Sequence, residues 1–396
     1  MKKLFSRFLV LLTVSACVIS NSFSVSAATE ITSPSAIVME ASTGQVIYEK
    51  NATERRSPAS ITKIMTLLLT FEALSEGKIS LSDSVITSDY AAGMGGSQVY
   101  LESGEVQTVE TLIKCVTVAS ANDACVALGE FIAGSEGAFV DQMNQKAVSL
   151  GMVDTHFEDC CGLSDSDMHY TSAKDVAIMS RELITLYPEV FEYTGIWMED
   201  ITHVTNRGES VFTLSSTNKL LKSYPYTTGL KTGSTSKAKF CVSATASKDD
   251  MEMIAVVMGC ENSADRFTEA AALLNYGFSV SSLYVDENQE ALDSLALTGA
   301  IQKEADIAYS GEFRYLDTEN RDLTQIVKSF ELPQNAQAPV EEGQTAGYAV
   351  YSLNGQEIGR VEIVYTESIA TASLRDYYQY AFSGFLLSFA NAAGRQ

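Results

Sequence analysis

Positive charge is scarce in this chain. Its 396 residues carry 27 lysines and arginines against 50 aspartates and glutamates, a formal net charge of −23. Such a balance repels phosphate backbones and anionic headgroups and argues against a nucleic-acid partner. Metal-ligand spacing is missing as well: no Cys-x-x-Cys pair occurs, and His156, His169 and His203 are scattered, so no zinc site and no cofactor is implied. No internal run of about 18 or more apolar residues suggests a spanning helix, and no fixed-period repeat or low-complexity tract is evident. What is present is a normal globular share of hydrophobic residues, 46%. The length exceeds an ordinary domain of roughly 100 to 200 residues, which predicts one large domain and a smaller one.

The first 27 residues read as an export signal. Lys2, Lys3 and Arg7 form a basic start, Phe8 to Ile19 is mainly apolar, and Val25-Ser26-Ala27 offers small residues for cleavage. A rival reading takes Val14-Ser15-Ala16-Cys17 as a lipoprotein signal with Cys17 acylated. Either way the mature chain works outside the cytoplasm. Six cysteines then remain, Cys115, Cys125, Cys160, Cys161, Cys241 and Cys260; export permits disulfides without requiring them, and buried free thiols are the alternative.

Two strands flanking Ala41-Ser42-Thr43-Gly44 predict an N-terminal hairpin, and the stretch from Ser60 to about Glu76, apolar almost all round, predicts a helix buried within a domain. Residues 87 to 105 carry a glycine-rich loop, Val109 to Phe131 regains helical spacing, and helices with short connections follow to about Tyr187. From Thr227 the texture becomes strands, around Lys231, Phe240 to Ala246 and Met253 to Met258, closed by a helix from Glu269 to Tyr276. Beyond about Ser282 short strands and turns dominate, with Asn354-Gly355 marking a hairpin. Last comes Leu374 to Phe389, whose Leu374, Tyr377, Tyr378, Ala381, Phe382, Phe385, Leu386 and Phe389 form a continuous apolar stripe. Its aromatic content suits a helix lying at a membrane interface; packing on its own domain is the alternative.

Three short strings carry the chemistry: Ser60-Ile61-Thr62-Lys63, Ser120-Ala121-Asn122 and Lys231-Thr232-Gly233. Each alone is weak. Ser216 to Lys219, Ser234 to Lys237 and Ser236 to Lys239 repeat the first spacing, and Ser216-Thr217-Asn218 and Ser352-Leu353-Asn354 repeat the second. Only the ordered set has weight. On a helix, positions three apart share a face with Cβ atoms about 5 to 6 Å apart, so the Ser60 hydroxyl and the Lys63 amine can hydrogen-bond. The amine activates the hydroxyl only when neutral, so its pKa must be depressed by burial and by a second cation, for which Lys231 is the candidate. The positive end of the helix starting at Ser60 favours charge developing there.

The ordered set, with the surrounding SPASITKIMT, SANDACVALGE, MNQKAVSLGM and GLKTGST, resembles the serine-type D-alanyl-D-alanine carboxypeptidases among the low-molecular-weight penicillin-binding proteins. The resemblance covers nearly the whole mature chain. It implies Ser60 as nucleophile, Lys63 as base and Ser120 as proton relay toward the leaving amine. It also implies that Asn122 orients Lys63 and the substrate amide, that Lys231, Thr232 and Gly233 form a sheet-edge strand for substrate, and that the N–H groups of Ser60 and Ser234 make an oxyanion hole. Arg266 takes the place of the arginine that binds the substrate carboxylate, with Thr232 adding a hydroxyl. Ala338-Pro339-Val340 through Gly347 is similar to the family's C-terminal domain, and relatives carry a terminal amphipathic anchor. One departure is visible: where members commonly have Ala-Gly past the third motif, this chain has Ala238-Lys239.

The expected fold is α+β. Residues 1–27 are expected as the signal and 28–281 as a β-lactamase/transpeptidase-like domain of antiparallel sheet covered by helices; 282–370 as a β-rich C-terminal domain; and 371–396 as an amphipathic anchoring helix. The expected activity removes the terminal D-alanine from peptidoglycan pentapeptides through an acyl-enzyme that β-lactams also form, at the outer face of the cell membrane. Alternatives are a β-lactamase, for which no Glu-x-x-Leu-Asn string is found, a transpeptidase, and a non-catalytic wall-binding protein.

Overall fold

A computed structural model describes residues 30–287 and 289–393. The expected signal segment, Cys17 included, lies outside the described residues. The first hairpin forms as the sequence predicts, β1 (Ser35–Glu40) and β2 (Val46–Lys50). Two small ladders stand apart from it, β3 (Ser84–Ile86) with β4 (Val106–Thr108) and β5 (Met198–Thr205) with β6 (Gly208–Ser215), while the first hairpin joins β7 (Thr227–Thr235), β8 (Lys239–Lys248) and β9 (Met251–Cys260) in one antiparallel sheet of order β2-β1-β9-β8-β7. Alternation along the strands sends Ile37, Met39, Ile254 and Val256 to one face and Ala36, Val38, Ala255 and Val257 to the other. Both sets are buried, so both faces must be covered, and that requirement sets the layering.

One face packs on the helix Ala173–Leu186, and behind that helix lies α1 (Lys63–Ser75), where every residue from Ile61 to Phe71 is buried. A fully buried leucine such as Leu67 or Leu68 contributes roughly 1.5 to 3 kcal/mol by leaving water. Around α1 lie α2 (Val109–Val118), α3 (Asn122–Ala133), α4 (Glu136–Ser149) and α5 (Ala173–Leu186). Thr108, Ser135 and Ser172 cap α2, α4 and α5 by accepting backbone N–H bonds, which is why those helices start where they do. The opposite face is covered by α6 (Asp265–Val280) through Phe267, Ala270, Leu273 and Leu274.

The helical spacing from Val109 to Phe131 is interrupted. Ser120 adopts a left-handed backbone, φ 60°, between α2 and α3, so the middle motif is a corner rather than a helix face. The sequence reading also passed over a hairpin, Met198–Thr205 with Gly208–Ser215. Its signal was present in the alternation of Ile201 and His203 on one strand and of Phe212 and Leu214 on the other, with Ile201 opposite Phe212, and in the Asn206-Arg207 turn.

Past α6, strands Thr345–Leu353 and Gln356–Tyr365 pair antiparallel across Asn354-Gly355 within a four-stranded sheet, and a separate core forms around Leu297, Tyr351 and Ile363. The chain closes with α7 (Leu374–Ala393). Leu374, Tyr378 and Phe382 of its apolar stripe are exposed, while the Tyr377 hydroxyl donates to the Ala300 carbonyl at 3.3 Å. No described helix is long and apolar enough to cross a membrane. All six cysteines from Cys115 to Cys260 are buried free thiols, which selects that alternative over disulfides.

Candidate active site

Three chain segments distant in sequence meet at the start of α1. Ser60 sits in a 3-10 turn, Ala59–Thr62, that runs into α1, so its N–H belongs to the first turn, where helices leave donors unbonded. Lys63 is fully buried, and its Nζ donates to Ser60 Oγ at 3.0 Å, to Asn122 Oδ1 at 2.6 Å and to the Cys161 carbonyl at 2.7 Å. Lys231, 1% exposed, donates to Ser120 Oγ at 2.8 Å and to the Thr232 carbonyl at 3.1 Å. The cleft therefore holds two hydroxyl–amine pairs, Ser60 with Lys63 and Ser120 with Lys231.

β7 is the edge strand of its sheet, and its motif residues lie against the Ser60 turn. Gly233 permits that approach: a Cβ there would stand 2.8 Å from the Pro58 carbonyl oxygen and 3.0 Å from the Ile61 nitrogen. On the other side Gly162, at φ 79°, passes so close that a Cβ would overlap the Ala59 carbonyl; this brings the Cys161 carbonyl to Lys63. Ser234 is exposed on β7 just past the third motif. Thr232 donates its hydroxyl to Thr217 Oγ1 at 2.7 Å.

Arg266, on α6 and 7% exposed, reaches back to β7 and β8, donating from Nη1 to the carbonyls of Gly233 at 3.0 Å and Cys241 at 3.2 Å. Its Nε finds no partner. Lys63, Lys231 and Arg266 are the only buried lysines or arginines among the described residues, and none has a carboxylate within 4 Å. In a chain so rich in acids, three buried basic side chains at one place without a carboxylate partner mark a candidate site for an anionic ligand. Burial, and after it the charge of Lys63, pulls Lys231 well below the usual ammonium range.

The structure brings Ser60, Lys63, Ser120, Asn122, Lys231, Thr232 and Gly233 together, with Arg266 bonded to the Gly233 carbonyl. The sequence reading missed the Cys161 carbonyl, a backbone acceptor that carries no side-chain signal, and Thr217. The latter lies in a repeat of the middle-motif spacing that was out of order with the others, and it reaches the site through its contact with Thr232. At Lys239, where the family has glycine, the backbone is left-handed, φ 57°; lysine occupies a conformation that suits glycine.

Comparison with known proteins agrees with this geometry. Residues 21–262 match a family model described as D-alanyl-D-alanine carboxypeptidase, and residues 300–371 match one described as penicillin-binding protein 5, C-terminal domain. The D-alanyl-D-alanine carboxypeptidase DacF of Bacillus subtilis is 38% identical over 85% of this chain and 86% of its own length. DacA of Escherichia coli is 30% identical over 86% and 84%. The crystal structure of penicillin binding protein 5 from Haemophilus influenzae superposes with a TM-score of 0.72 at 28% identity, covering 86% of this chain and 98% of that one.

Proposed function

From the premise that the chain belongs to the D-alanyl-D-alanine carboxypeptidase family, we infer that it removes the terminal D-alanine from peptidoglycan pentapeptides through an acyl-enzyme on Ser60, and that β-lactams acylate the same serine. The observation that carries this reading is the 3.0 Å contact of Lys63 Nζ with Ser60 Oγ beside the 2.6 Å contact with Asn122 Oδ1.

A neutral Lys63 amine has two N–H bonds and one lone pair. The Asn122 and Cys161 oxygens take the two N–H groups, which leaves the lone pair for the Ser60 hydroxyl proton. As Ser60 Oγ attacks the penultimate D-Ala carbonyl, that proton passes to Lys63 Nζ. The oxyanion is held by the Ser60 and Ser234 N–H groups, a contribution typically worth about 2.7 to 4 kcal/mol per donor. The charge arriving on Lys63 lowers the proton affinity of Lys231, because a second cation nearby disfavours the charged form of a buried amine. Lys231 then releases a proton through Ser120, 2.8 Å away, to the departing D-alanine amine. Water then attacks the ester and gives a proton back to Lys231 through Ser120, while Lys63 returns its proton to Ser60 Oγ as the acyl group leaves, so both amines and the serine are restored. Arg266 and Thr232 hold the substrate carboxylate, the counter-charge that Arg266 lacks within the chain.

Mass spectrometry of D-alanine release from a pentapeptide tests the reading. Loss of release and of fluorescent-penicillin labelling in Ser60→Ala supports it; persistent labelling of that variant refutes it. Cross-linked product without free D-alanine would make the chain a transpeptidase instead. We also keep the division into residues 28–281, 282–370 and 371–396, with export by residues 1–27 and α7 lying along the outer membrane surface. The exposed Leu374, Tyr378 and Phe382 support that placement. A chain ending at Thr371 should fractionate as soluble, and membrane fractionation of that shortened chain would count against the anchor.

A further inference from the structure

Asn122 can serve Lys63 only if its amide points one way, with Oδ1 toward Nζ and Nδ2 away. The loop from Gly95 to Leu101 fixes that direction. The Gly95 carbonyl accepts from Asn122 Nδ2 at 2.7 Å, and the Ser97 carbonyl accepts from the Asn122 backbone N–H at 2.7 Å. What fixes the loop is the next residue of α3. Asp123 is 1% exposed, and among the described residues no cation lies within ion-pair reach of its carboxylate. Instead its carboxylate accepts the Val99 N–H at 3.2 Å and the Leu101 N–H at 3.1 Å. Between those two donors stands Tyr100, at φ 65° with its ring 70% exposed. Bulky residues avoid that left-handed conformation, so the two clamped N–H groups are what hold the loop in it.

We propose that Asp123 is a positioning residue for acylation: by clamping the N–H groups on either side of Tyr100 it holds the loop whose Gly95 and Ser97 carbonyls aim the Asn122 amide at Lys63. The inference rests on the reading of Ser60 as the acylated serine. It assigns no contact with substrate to Asp123. Without the carboxylate, the Val99 and Leu101 donors lose their acceptor and Tyr100 relaxes to an ordinary backbone; the Gly95 carbonyl moves, and the amide turns away from Lys63. Misplacement of a catalytic group by about 1 Å costs on the order of 10²-fold.

The test is acylation by a fluorescent penicillin, resolved into noncovalent affinity and acylation rate constant, on the full chain. Asp123→Ala should slow the rate constant about 30-fold or more with affinity nearly unchanged, and amide hydrogen exchange at Val99 and Leu101 should quicken. Asp123→Asn, which keeps one carbonyl oxygen, should fall between and covers the case in which alanine does not fold. The decisive arm is Tyr100→Gly, since glycine adopts this backbone without a clamp. Alone it should leave acylation near wild type, and combined with Asp123→Ala it should recover most of the lost rate. Asp123→Ala acylating within about 3-fold of wild type, or an affected variant that Tyr100→Gly does not improve, would overturn the proposal. Wild-type chain that takes no penicillin at Ser60 would instead overturn the functional reading beneath it.

Discussion

The cleft and the C-terminal β region treat buried charge in opposite ways. In the β region each buried carboxylate has a cationic partner: Asp286 accepts from Lys328 Nζ at 2.8 Å and from the Tyr351 hydroxyl at 2.6 Å, and Asp317 accepts from Arg321 Nε at 2.6 Å. In the cleft Lys63, Lys231 and Arg266 are more deeply buried than most charged groups ever are, yet they meet only neutral oxygens. Desolvated charge without a counter-charge is costly, and a fold tolerates it where function uses it. Of these five groups, the two paired carboxylates belong to stability and the three unpaired bases to chemistry.

The largest effect should come from exchanging one unpaired cation for an apolar side chain of similar length. Lys63→Met is expected to lower penicillin acylation by about 10³-fold or more, the loss of a base acting on its nucleophile. Its unfolding free energy should stay within about 1 kcal/mol of wild type, because the apolar side chain avoids the desolvation of a buried amine and so offsets the oxygens left unbonded. Denaturant unfolding alongside labelling checks both. A collapse of stability would erase the contrast by showing that Lys63 holds the fold.

Breaking a pair in the β region should do the reverse. Arg321→Ala is expected to lower the denaturant midpoint, with Asp317 left beside backbone donors alone, and D-alanine release per folded molecule should not change. Burial would raise the Asp317 carboxyl, but the Arg321 N–H and guanidinium outweigh it and hold the pKa below its ordinary 3.8. The folded state therefore binds the proton less tightly than the unfolded one. The pair's contribution is complete above about pH 4 and fades as pH falls through the folded pKa. A cost that persisted at pH 2 would show that Arg321 acts by packing rather than by charge.

How much of this was legible in the sequence follows from where the information lies. The α+β architecture, the N-terminal hairpin, β7 to β9 and the Asn354-Gly355 hairpin are written in local periodicity and turn residues. The site was legible because its side chains come in ordered strings, each tied to a spacing that a helix or strand converts into geometry. Contributions made by backbone were not legible: the Cys161 carbonyl, the corner at Ser120 and the loop carbonyls of Gly95 and Ser97 depend on tertiary placement, which no residue type announces. Thr217 was visible but set aside, because order along the chain separates the three motifs from their repeats and says nothing about a fourth neighbour.

A charge of the other sign sharpens the comparison on the catalytic side. Burial pushes Glu252, on β9, up to about 7, although hydroxyls of Thr228 and Ser247 favour its charged form. Its folded pKa lies above the ordinary 4.5, so the folded state binds the proton more tightly. The ionisation penalty is absent below about pH 4.5, grows as pH rises and is complete above about pH 7. Glu252→Gln should then stabilise the chain by about 1 to 2 kcal/mol at pH 8 and leave it unchanged at pH 4, less than the full shift because the amide offers one acceptor where the carboxylate offers two. Equal stabilisation at both values would mean the charge is not the cause.

The smallest effect concerns the one place where the chain leaves its family's pattern. Lys239 stands at φ 57° at the start of β8, just past the turn from β7, and pairs with Glu261 at 3.4 Å, both side chains largely in water. A left-handed backbone costs a side-chain-bearing residue about 1 to 2 kcal/mol, which glycine avoids. Against that, glycine adds roughly 0.5 to 1 kcal/mol of unfolded-chain entropy and the exposed ion pair is worth a few tenths at most. Lys239→Gly should therefore stabilise by about 0.5 kcal/mol, a rise of about 1 to 2 °C in Tm for a domain of this size, with D-alanine release within about 2-fold of wild type. That outcome would place the turn with the structural charges although it lies only a few residues past Lys231. A change in release of about 5-fold or more would instead move Lys239 to the functional side, as a fourth cation at the rim, and the line between the two kinds of charge would then run through this turn.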